Sequence, residues 1–191
     1  MERRHHIMSV AIECFIKNGI HQTGIRDIAK QANVSLGNLY NHFASKDDLI
    51  AEIAVIDGQN LDRFAIEITG AENPLIALRK FVDHYLDYVS DAENAFLTIE
   101  LISEALRNPI VAEQFDSSRQ CLIDVLSATI ELGISKGLLR AQTNVDETVR
   151  LLLDAVEGLG LRSGFANKKP SDDARKALHE MIFRMLLKRF E

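Results

Sequence analysis

Apolar residues recur at steps of three and four along almost the whole chain, and this spacing restricts the possible folds more than any other feature. In residues 4–18, for example, Ile7, Val10, Ala11 and Cys14 share one face of a helix. No run of alternating β-branched residues is flanked by hairpin turns, so the sequence predicts no sheet. We therefore predict an all-α protein with about nine helices.

Helix start and stop signals divide this periodic pattern into segments. Asn18-Gly19 and Lys136-Gly137 are typical helix ends. Helix starts are predicted at Ser45, Asn73-Pro74, Asn108-Pro109, Asn144-x-x-Glu147 and Pro170-Ser171. Lys188-Arg189 would suit the negative pole of the last helix.

Composition excludes several classes of protein. With 191 residues, 47% hydrophobic and 26% charged, the chain can bury a core of one or two domains, which argues against disordered, collagen-like or disulfide-framework proteins. No stretch approaches the roughly 18–20 apolar residues of a membrane span, and the amphipathic N-terminal segment is unlike a signal peptide. Two distant cysteines, Cys14 and Cys121, fit a reduced protein, so we expect a cytoplasmic location.

Charge is distributed unevenly between the two parts of the chain. The net charge is −6, yet residues 1–50 hold six Lys/Arg against five Asp/Glu, whereas residues 51–191 hold 16 against 23. This asymmetry predicts two surfaces with different partners, and we place a domain boundary between residues 50 and 51.

Residues 24–43 have the pattern of a helix-turn-helix. A stripe of Ile25, Ile28 and Ala29 predicts a short helix, after which Asn33 tolerates the left-handed conformation of a sharp turn. Ser35 can cap a second short helix that buries Leu39 and Phe43. The outward positions of this second helix are Leu36, Gly37, Asn38, Tyr40, Asn41 and His42.

A helical hairpin inside a core is the alternative interpretation of this segment. A core hairpin would not need an outward face of Asn, Tyr, Asn and His with Lys46 close behind, and these side chains suit phosphates and base edges. The pattern therefore favours DNA binding through the second helix.

The stretch from Ile7 to Leu49 resembles the TetR family of bacterial transcription regulators. The resemblance is carried by Phe15-x-x-x-Gly19, Ile25-x-x-Ile28-Ala29, Ala32-x-Val34-Ser35 and Leu39-Tyr40-x-x-Phe43-x-x-Lys46-x-x-Leu49. It implies a homodimeric repressor whose N-terminal domains bind a palindromic operator in double-stranded DNA and which a small-molecule inducer releases. Three positions depart from the family pattern: Asn33 replaces the usual turn glycine, Ala44 replaces a common proline, and Gly24 replaces a hydroxyl residue, leaving Thr23 as the hydroxyl expected to contact DNA.

The resemblance also implies which residues contact DNA. Phosphate contacts are expected from Thr23, Ser35, Asn38, Tyr40, His42 and Lys46. Base-edge contacts are expected from Arg26, Leu36, Gly37 and Asn41. We predict no metal role for His42, because no second ligand lies beside it at helical spacing.

Residues 51–191 carry no catalytic or cofactor-binding motif that we can defend, so we expect neither an enzyme nor a cofactor. Gly158-Leu159-Gly160 lies in a helical pattern, which favours close helix packing over dinucleotide binding. The segments 104–109, 136–139 and 154–159 loosely resemble the betaine-regulator subgroup of the TetR family, a likeness that carries no ligand across.

Two further sets of residues are predicted in this region. The dimer interface is expected on the last two helices, at Leu152, Val156, Gly158, Leu159, Gly160, Met181, Ile182 and Met185. The candidate effector-binding residues are Phe81, His84, Tyr85, Tyr88, Phe96, Glu100, Glu104, Phe115 and Arg119. Core packing is the competing interpretation for the aromatic residues. For Glu100 and Glu104, the competing interpretations are a solvated helix face and a cation site. Cys121 is expected to be a small buried hydrophobe.

The function favoured by these patterns is a ligand-responsive, sequence-specific DNA-binding regulator that works as a repressor. An activator or an inducer-independent regulator of the same fold stays open. A helical carrier or enzyme with an incidental helix-turn-helix is a third possibility, which the missing acid–base and metal constellations disfavour.

Overall fold

The computed structural model describes residues 2–187, which form nine α-helices and no strand, so the all-α prediction is confirmed. The helices are α1 (Glu2–Asn18), α2 (Ile25–Gln31), α3 (Leu36–Tyr40), α4 (Lys46–Ile68), α5 (Pro74–Val89), α6 (Ala92–Ala105), α7 (Pro109–Ser135), α8 (Val145–Phe165) and α9 (Asp172–Leu186). In this range, no helix is both long enough and apolar enough to cross a membrane. The predicted basic pair Lys188-Arg189 lies outside the described residues.

Side-chain caps explain why several helices begin where they do. Asn73 Oδ1 accepts the backbone N–H of Leu75 at 3.0 Å, and Pro74 occupies the first turn of α5. Asn144 Oδ1 accepts the N–H of Glu147 at 3.0 Å at the start of α8. These contacts satisfy backbone donors that a helix start leaves free, and they confirm the start signals predicted at these positions.

The chain divides into two compact units. The first unit contains the described residues through Gly58 together with the segment Phe96–Asp116. Its core includes Ile7, Phe15 and Leu39, all fully buried. Leu101 and Val111, from the later segment, are equally buried in the same apolar cluster. Residues far along the sequence therefore complete the core around the N-terminal helices.

The second unit contains Gln59–Ala95 and the described residues from Ser117 onward. Its aromatic rings form one cluster, in which Phe64 makes edge contacts with Phe81, Tyr85 and Tyr88 at centroid distances of 6.3, 5.4 and 5.4 Å. Phe81 and Tyr85 stack at 5.3 Å. Aliphatic side chains of α5, α7, α8 and α9 surround these rings.

Two glycines allow helices of the second unit to approach closely. A Cβ placed on Gly160 would lie 2.2 Å from Val89 Cγ2, and one placed on Gly164 would lie 2.3 Å from the Cβ of Ala95. A Cβ on Gly158 would meet nothing within 4 Å. Close packing thus accounts for Gly160 but not for Gly158.

Candidate nucleic-acid interface

Helices α2 and α3 form the predicted helix-turn-helix. Asn33 has φ of 54°, the left-handed conformation expected at the turn. The N–H of Val34 donates to the carbonyl of Ala29 at 3.0 Å, which closes the turn. Ser35 Oγ accepts the N–H of Asn38 at 3.1 Å and caps α3. The turn and the cap confirm what the sequence predicted for these positions.

The outer face of α3 is accessible, since Leu39 is fully buried whereas Tyr40 is 46% exposed. The remaining predicted DNA-contacting residues divide by exposure. Exposed positions are Arg26, Ser35, Gly37 and Asn41, and half-buried positions are Leu36, Asn38, His42 and Lys46. A short, capped helix with exposed polar residues can lie in a DNA groove.

Thr23 is the exception among the predicted contacts, because its side chain is only 2% exposed. Its hydroxyl donates to the Gly19 carbonyl at 2.8 Å and contacts the Cys14 carbonyl at 3.3 Å. The structure thus places Thr23 inside the unit, tied to the end of α1, which corrects the expectation of a phosphate contact from an outward hydroxyl.

Lys46 has a structural contact that the sequence did not predict. Its Nζ donates to the Ile20 carbonyl at 2.5 Å, in the turn between α1 and α2. The N–H of Ile20 donates in turn to Glu100 Oε2 at 2.5 Å. Side chains therefore bind both the backbone N–H and the backbone carbonyl of Ile20. The neighbouring Gly19 has the left-handed φ of 82°.

Further polar contacts orient α1 and the turns around it. Arg4 forms a two-pronged ion pair with Glu52, and its guanidinium lies 4.8 Å from the centre of the Phe43 ring. His6 Nε2 lies 3.1 Å from the Ala32 carbonyl, next to the helix-turn-helix turn. These pairs are 26 to 48 residues apart in sequence, so no local pattern could have indicated them.

Arg107 extends this support to the residue after Ile20. Its Nη1 lies 2.6 Å from His21 Nε2, a contact in which the arginine donates and the neutral imidazole accepts. Glu100 and Arg107 both come from the late segment of the first unit. The Glu100 carboxylate thus accepts a backbone N–H, a contact that the sequence did not predict.

The predicted effector-binding residues fall into both units. Phe96, Glu100, Glu104 and Phe115 belong to the first unit, and Phe81, His84, Tyr85, Tyr88 and Arg119 belong to the second. Phe81 and Tyr85 are 1% and 3% exposed and form part of the core, as the competing interpretation held. His84 is exposed and pairs with Glu67 at 2.9 Å. Within residues 2–187 no three His, Cys, Asp or Glu side chains lie close enough to hold a metal ion.

Arg119 organises a polar network in the second unit. Its Nη1 donates to both carboxylate oxygens of Glu157 at 2.7–2.8 Å, and its Nη2 pairs with Asp154. The Tyr85 hydroxyl donates to Glu157 Oε1 at 2.8 Å. Burial acts to lower the pKa of Arg119, but the Glu157 and Asp154 carboxylates outweigh it and the pKa lies above its usual value.

The predicted dimer residues point in different directions. Leu152, Val156 and Ile182 are at most 1% exposed and Gly160 is buried, so these residues pack inside the unit and do not form the expected apolar surface. Each residue of a helix is turned about 100° from the next, so an inward position such as Leu152 lies next to an outward one. The outward apolar residues are Leu151 (54% exposed), Phe165 (63%) and Met181 (55%). Gly158 is exposed, and Leu159 and Met185 are half-buried.

The two cysteines also differ in their surroundings. Cys14 is buried, as predicted from its helix face, and its Sγ contacts Gln31 Oε1 at 3.3 Å. Cys121 is exposed, which corrects the expectation of a buried hydrophobe. Partial desolvation and the nearby Asp62 and Asp124 carboxylates raise the pKa of Cys121, so its thiol stays protonated at neutral pH.

Comparison with known proteins gives consistent results for both units. Residues 7–53 match the family described as bacterial regulatory proteins, tetR family. The chain is 32% identical over 180 residues to the HTH-type transcriptional regulator UidR of Escherichia coli strain K12, covering 91% of this chain and 85% of that protein.

Solved structures agree over nearly the full length. Salmonella enterica GusR superposes with a TM-score of 0.82 at 28% identity, covering 97% of this chain and 95% of that one. A transcriptional regulator from Saccharomonospora viridis, solved in complex with choline, has a TM-score of 0.83 at 22% identity and covers 98% of this chain and 99% of its own, a likeness of fold.

Proposed function

Because this chain belongs to the TetR family of bacterial regulatory proteins, we propose that it acts as a dimeric repressor that leaves its operator when a small molecule binds. Membership makes it a DNA-binding transcriptional regulator. The observation that carries the proposal is the capped α3, which exposes Gly37 and Tyr40 and is followed directly by the exposed Asn41. We assign DNA reading to residues 1–50, with the helix-turn-helix at 24–43, and dimerisation and effector binding to residues 51–191.

On this proposal, α3 lies in the major groove. Arg26, Leu36, Gly37 and Asn41 meet base edges, while Ser35, Asn38, Tyr40, His42 and Lys46 meet phosphates. Lys46 can serve both its turn and a phosphate, because an ammonium group has three donors and the Ile20 carbonyl takes one of them. Thr23 leaves the set because its hydroxyl is used within the unit.

The exposed apolar residues of α8 and α9 support a dimer. Leu151 and Phe165 on α8 and Met181 on α9 are exposed apolar residues, and the exposed Gly158 on α8 has no side chain to keep a second helix away. A two-fold dimer would cover the same residues on both chains and pair two recognition helices with a palindrome, at half-site centres ~34–36 Å apart or somewhat more. Leu159 and Met185 extend this surface. Leu152, Val156 and Ile182 are buried beneath it and hold its helices in the core.

The second unit supplies the groups that an effector site needs. The half-buried Phe64 and Tyr88 rings of its aromatic cluster offer apolar contact, and Arg119 and Glu157 offer hydrogen bonds. The choline complex of the Saccharomonospora viridis regulator supports a small-molecule site in this fold. An operator-binding protein of this kind would work in the cytoplasm, where bacterial DNA lies.

Tyr40 provides the direct test of DNA reading. An operator selected from a randomised duplex library, labelled and titrated by fluorescence anisotropy at fixed salt, should bind Tyr40→Ala roughly 10–100-fold more weakly than wild type, as expected for loss of one good contact. Ile66→Ala, a change at a 72% exposed residue outside the first unit, should bind normally. Equal affinity of wild type and Tyr40→Ala would remove α3 from the interface.

Repression and induction need a separate measurement. A reporter gene placed behind the selected operator should fall in expression when the protein is present, and an effector should restore it. Increased expression would identify an activator instead. A steep loss of operator affinity with salt, beyond a few phosphate contacts per half-site, would contradict the proposed division between a DNA-reading part and an acidic part.

A further inference from the structure

A cleft of about 710 Å³ lies between α5 and α9 of the second unit, and four of the residues that line it are arginine, lysine or histidine. Arg79 contributes from α5, and Lys176, His179 and Arg184 contribute from α9. Glu180 is the carboxylate among the lining residues. The volume is typical of sites for small molecules.

Two of these cations have no carboxylate partner within the described part of the chain. Glu180 pairs with Arg184, at 3.4 Å and with Arg184 largely exposed. The nearby acids of α5 are also engaged, Asp83 by His179 at 2.8 Å and Asp87 by Arg175. Among residues 2–187, the charges of Arg79 and Lys176 therefore remain without an acidic counterpart in the cleft wall.

Arg79 lies against an aromatic ring in the wall of the cleft. Its guanidinium lies 4.2 Å from the centre of the Phe183 ring, and the His179 ring stacks on Phe183 at 5.6 Å with an interplanar angle of 16°. A guanidinium has five N–H donors, so one that lies over an aromatic ring can still hydrogen-bond a phosphate or carboxylate group. Because Phe183 is only 3% exposed, this platform is anchored in the core.

We propose that this cleft binds an anionic small molecule, whose phosphate or carboxylate group is held by the N–H edge of Arg79 and by the Lys176 ammonium. The site is distinct from the network of Arg119 and does not depend on the proposed effector response. It also stays accessible in the proposed dimer, because Lys176, His179 and Phe183 point about 140–160° away from Met181 around α9. A bound anion would join α5 to α9 and so stabilise the second unit.

Thermal unfolding of the full chain, followed by circular dichroism, tests the site. Pyrophosphate and citrate serve as phosphate and carboxylate probes, each compared with sodium chloride at equal ionic strength. At ten times its Kd, a probe that binds only the folded chain should raise Tm by roughly 3–6 °C, with saturation. The probe that saturates at the lower concentration identifies the preferred anionic group.

Two double variants carry the same change in charge. Arg79→Gln with Lys176→Gln should abolish the saturable rise in Tm, while Lys168→Gln with Lys169→Gln, at two exposed residues outside the cleft, should keep it. A rise that does not saturate, or one that both double variants share, would overturn the proposal. Operator affinity without anions should be normal in both, so failure of this site and failure of the DNA-binding proposal give different results.

A measurement on the wild-type chain covers the case in which the first double variant does not fold. The arginine Nε–Hε signals in a ¹⁵N NMR spectrum, with the Arg79 signal assigned through Arg79→Lys, should show Arg79 as the arginine that shifts most during the titration. Uniform shifts of all arginines, or none, would exclude the cleft as the binding site.

Discussion

The helix-turn-helix of the first unit relies on two short helices, α2 and α3, secured by polar contacts at their turn and cap, whereas the second unit relies on longer helices packed through a large apolar core. In the first unit, the five-residue α3 is secured by a left-handed Asn33 and a capping Ser35. In the second, α8 runs for 21 residues and approaches α5 through Gly160. A surface that must match a DNA groove needs fixed local geometry, while a helical core can be built from many combinations of apolar residues.

The comparison also shows that the two units are not consecutive segments. The first unit depends on Leu101 for its core and on Glu100 for one of its turns, although both come after the residues 59–95 of the second unit. Four experiments test how far the contrast between the units extends.

Replacing a core leucine of the late segment should have the largest effect. Leu101→Ala should lower the free energy of unfolding by about 3 kcal/mol, because it leaves a cavity in the core of the first unit. Leu106→Ala is the matched control, since Leu106 is 82% exposed and its truncation should change stability by less than about 0.5 kcal/mol. Urea unfolding followed by circular dichroism measures both, and equal losses would mean that the late segment does not complete that core.

Glycine substitutions in α8 should have effects of opposite sign. Gly160→Ala forces a Cβ against Val89 and should destabilise the second unit by about 1–3 kcal/mol. Gly158→Ala has open space and should stabilise the isolated chain by about 0.5–1 kcal/mol. Sedimentation velocity should show a weaker dimer for Gly158→Ala if this surface is the interface, and an unchanged dimer would move the interface elsewhere.

Serine caps allow a matched test in both units. Ser35 Oγ accepts a backbone N–H at 3.1 Å in the first unit, and Ser171 Oγ accepts one at 3.2 Å at the start of α9 in the second. Each change to alanine should lower stability by about 1 kcal/mol. Only Ser35→Ala should also weaken operator binding in the anisotropy titration, and a similar loss with Ser171→Ala would contradict the local role of the cap.

The smallest effect on stability is expected from the thiol of Cys14. Burial, with Glu13 and Asp27 nearby, raises the pKa of Cys14, so the unfolded chain releases this proton at a lower pH than the folded chain. The stability contributed by the buried thiol is complete below about pH 9 and decreases as the pH rises further. Urea unfolding between pH 8 and 10 should show a shallower decline for Cys14→Ala than for wild type, and identical slopes would reject this role.

The local signals of the first unit could be predicted because each depends on a few adjacent residues. Asn33 at the turn, Ser35 at the cap and Leu39 in the core were all deducible from spacing. The contact between Ile20 and Glu100 joins residues 80 apart, and no periodicity indicates which distant carboxylate completes a turn. Thr23 is of a residue type that often contacts phosphate, but its hydroxyl donates to the Gly19 carbonyl instead.

In the second unit, the helices could be predicted better than the direction of their side chains. The period of α8 and α9 located an apolar region, but Leu152 and Ile182 face the core while Leu151 and Met181 face outward. When a helix has apolar residues on two sides, its sequence does not show which side faces the core. Cys121 illustrates the same ambiguity, because it lies beside apolar positions yet is exposed.

The late segment also has a consequence for synthesis. A nascent chain that has been made only as far as residue 95 contains the whole helix-turn-helix but lacks Leu101, Val111 and the Glu100 carboxylate. Its DNA-reading part must wait for about 20 further residues, and closing so long a loop is slow compared with pairing neighbours. We therefore expect a chain whose synthesis stops before this segment to lack part of the core of the first unit.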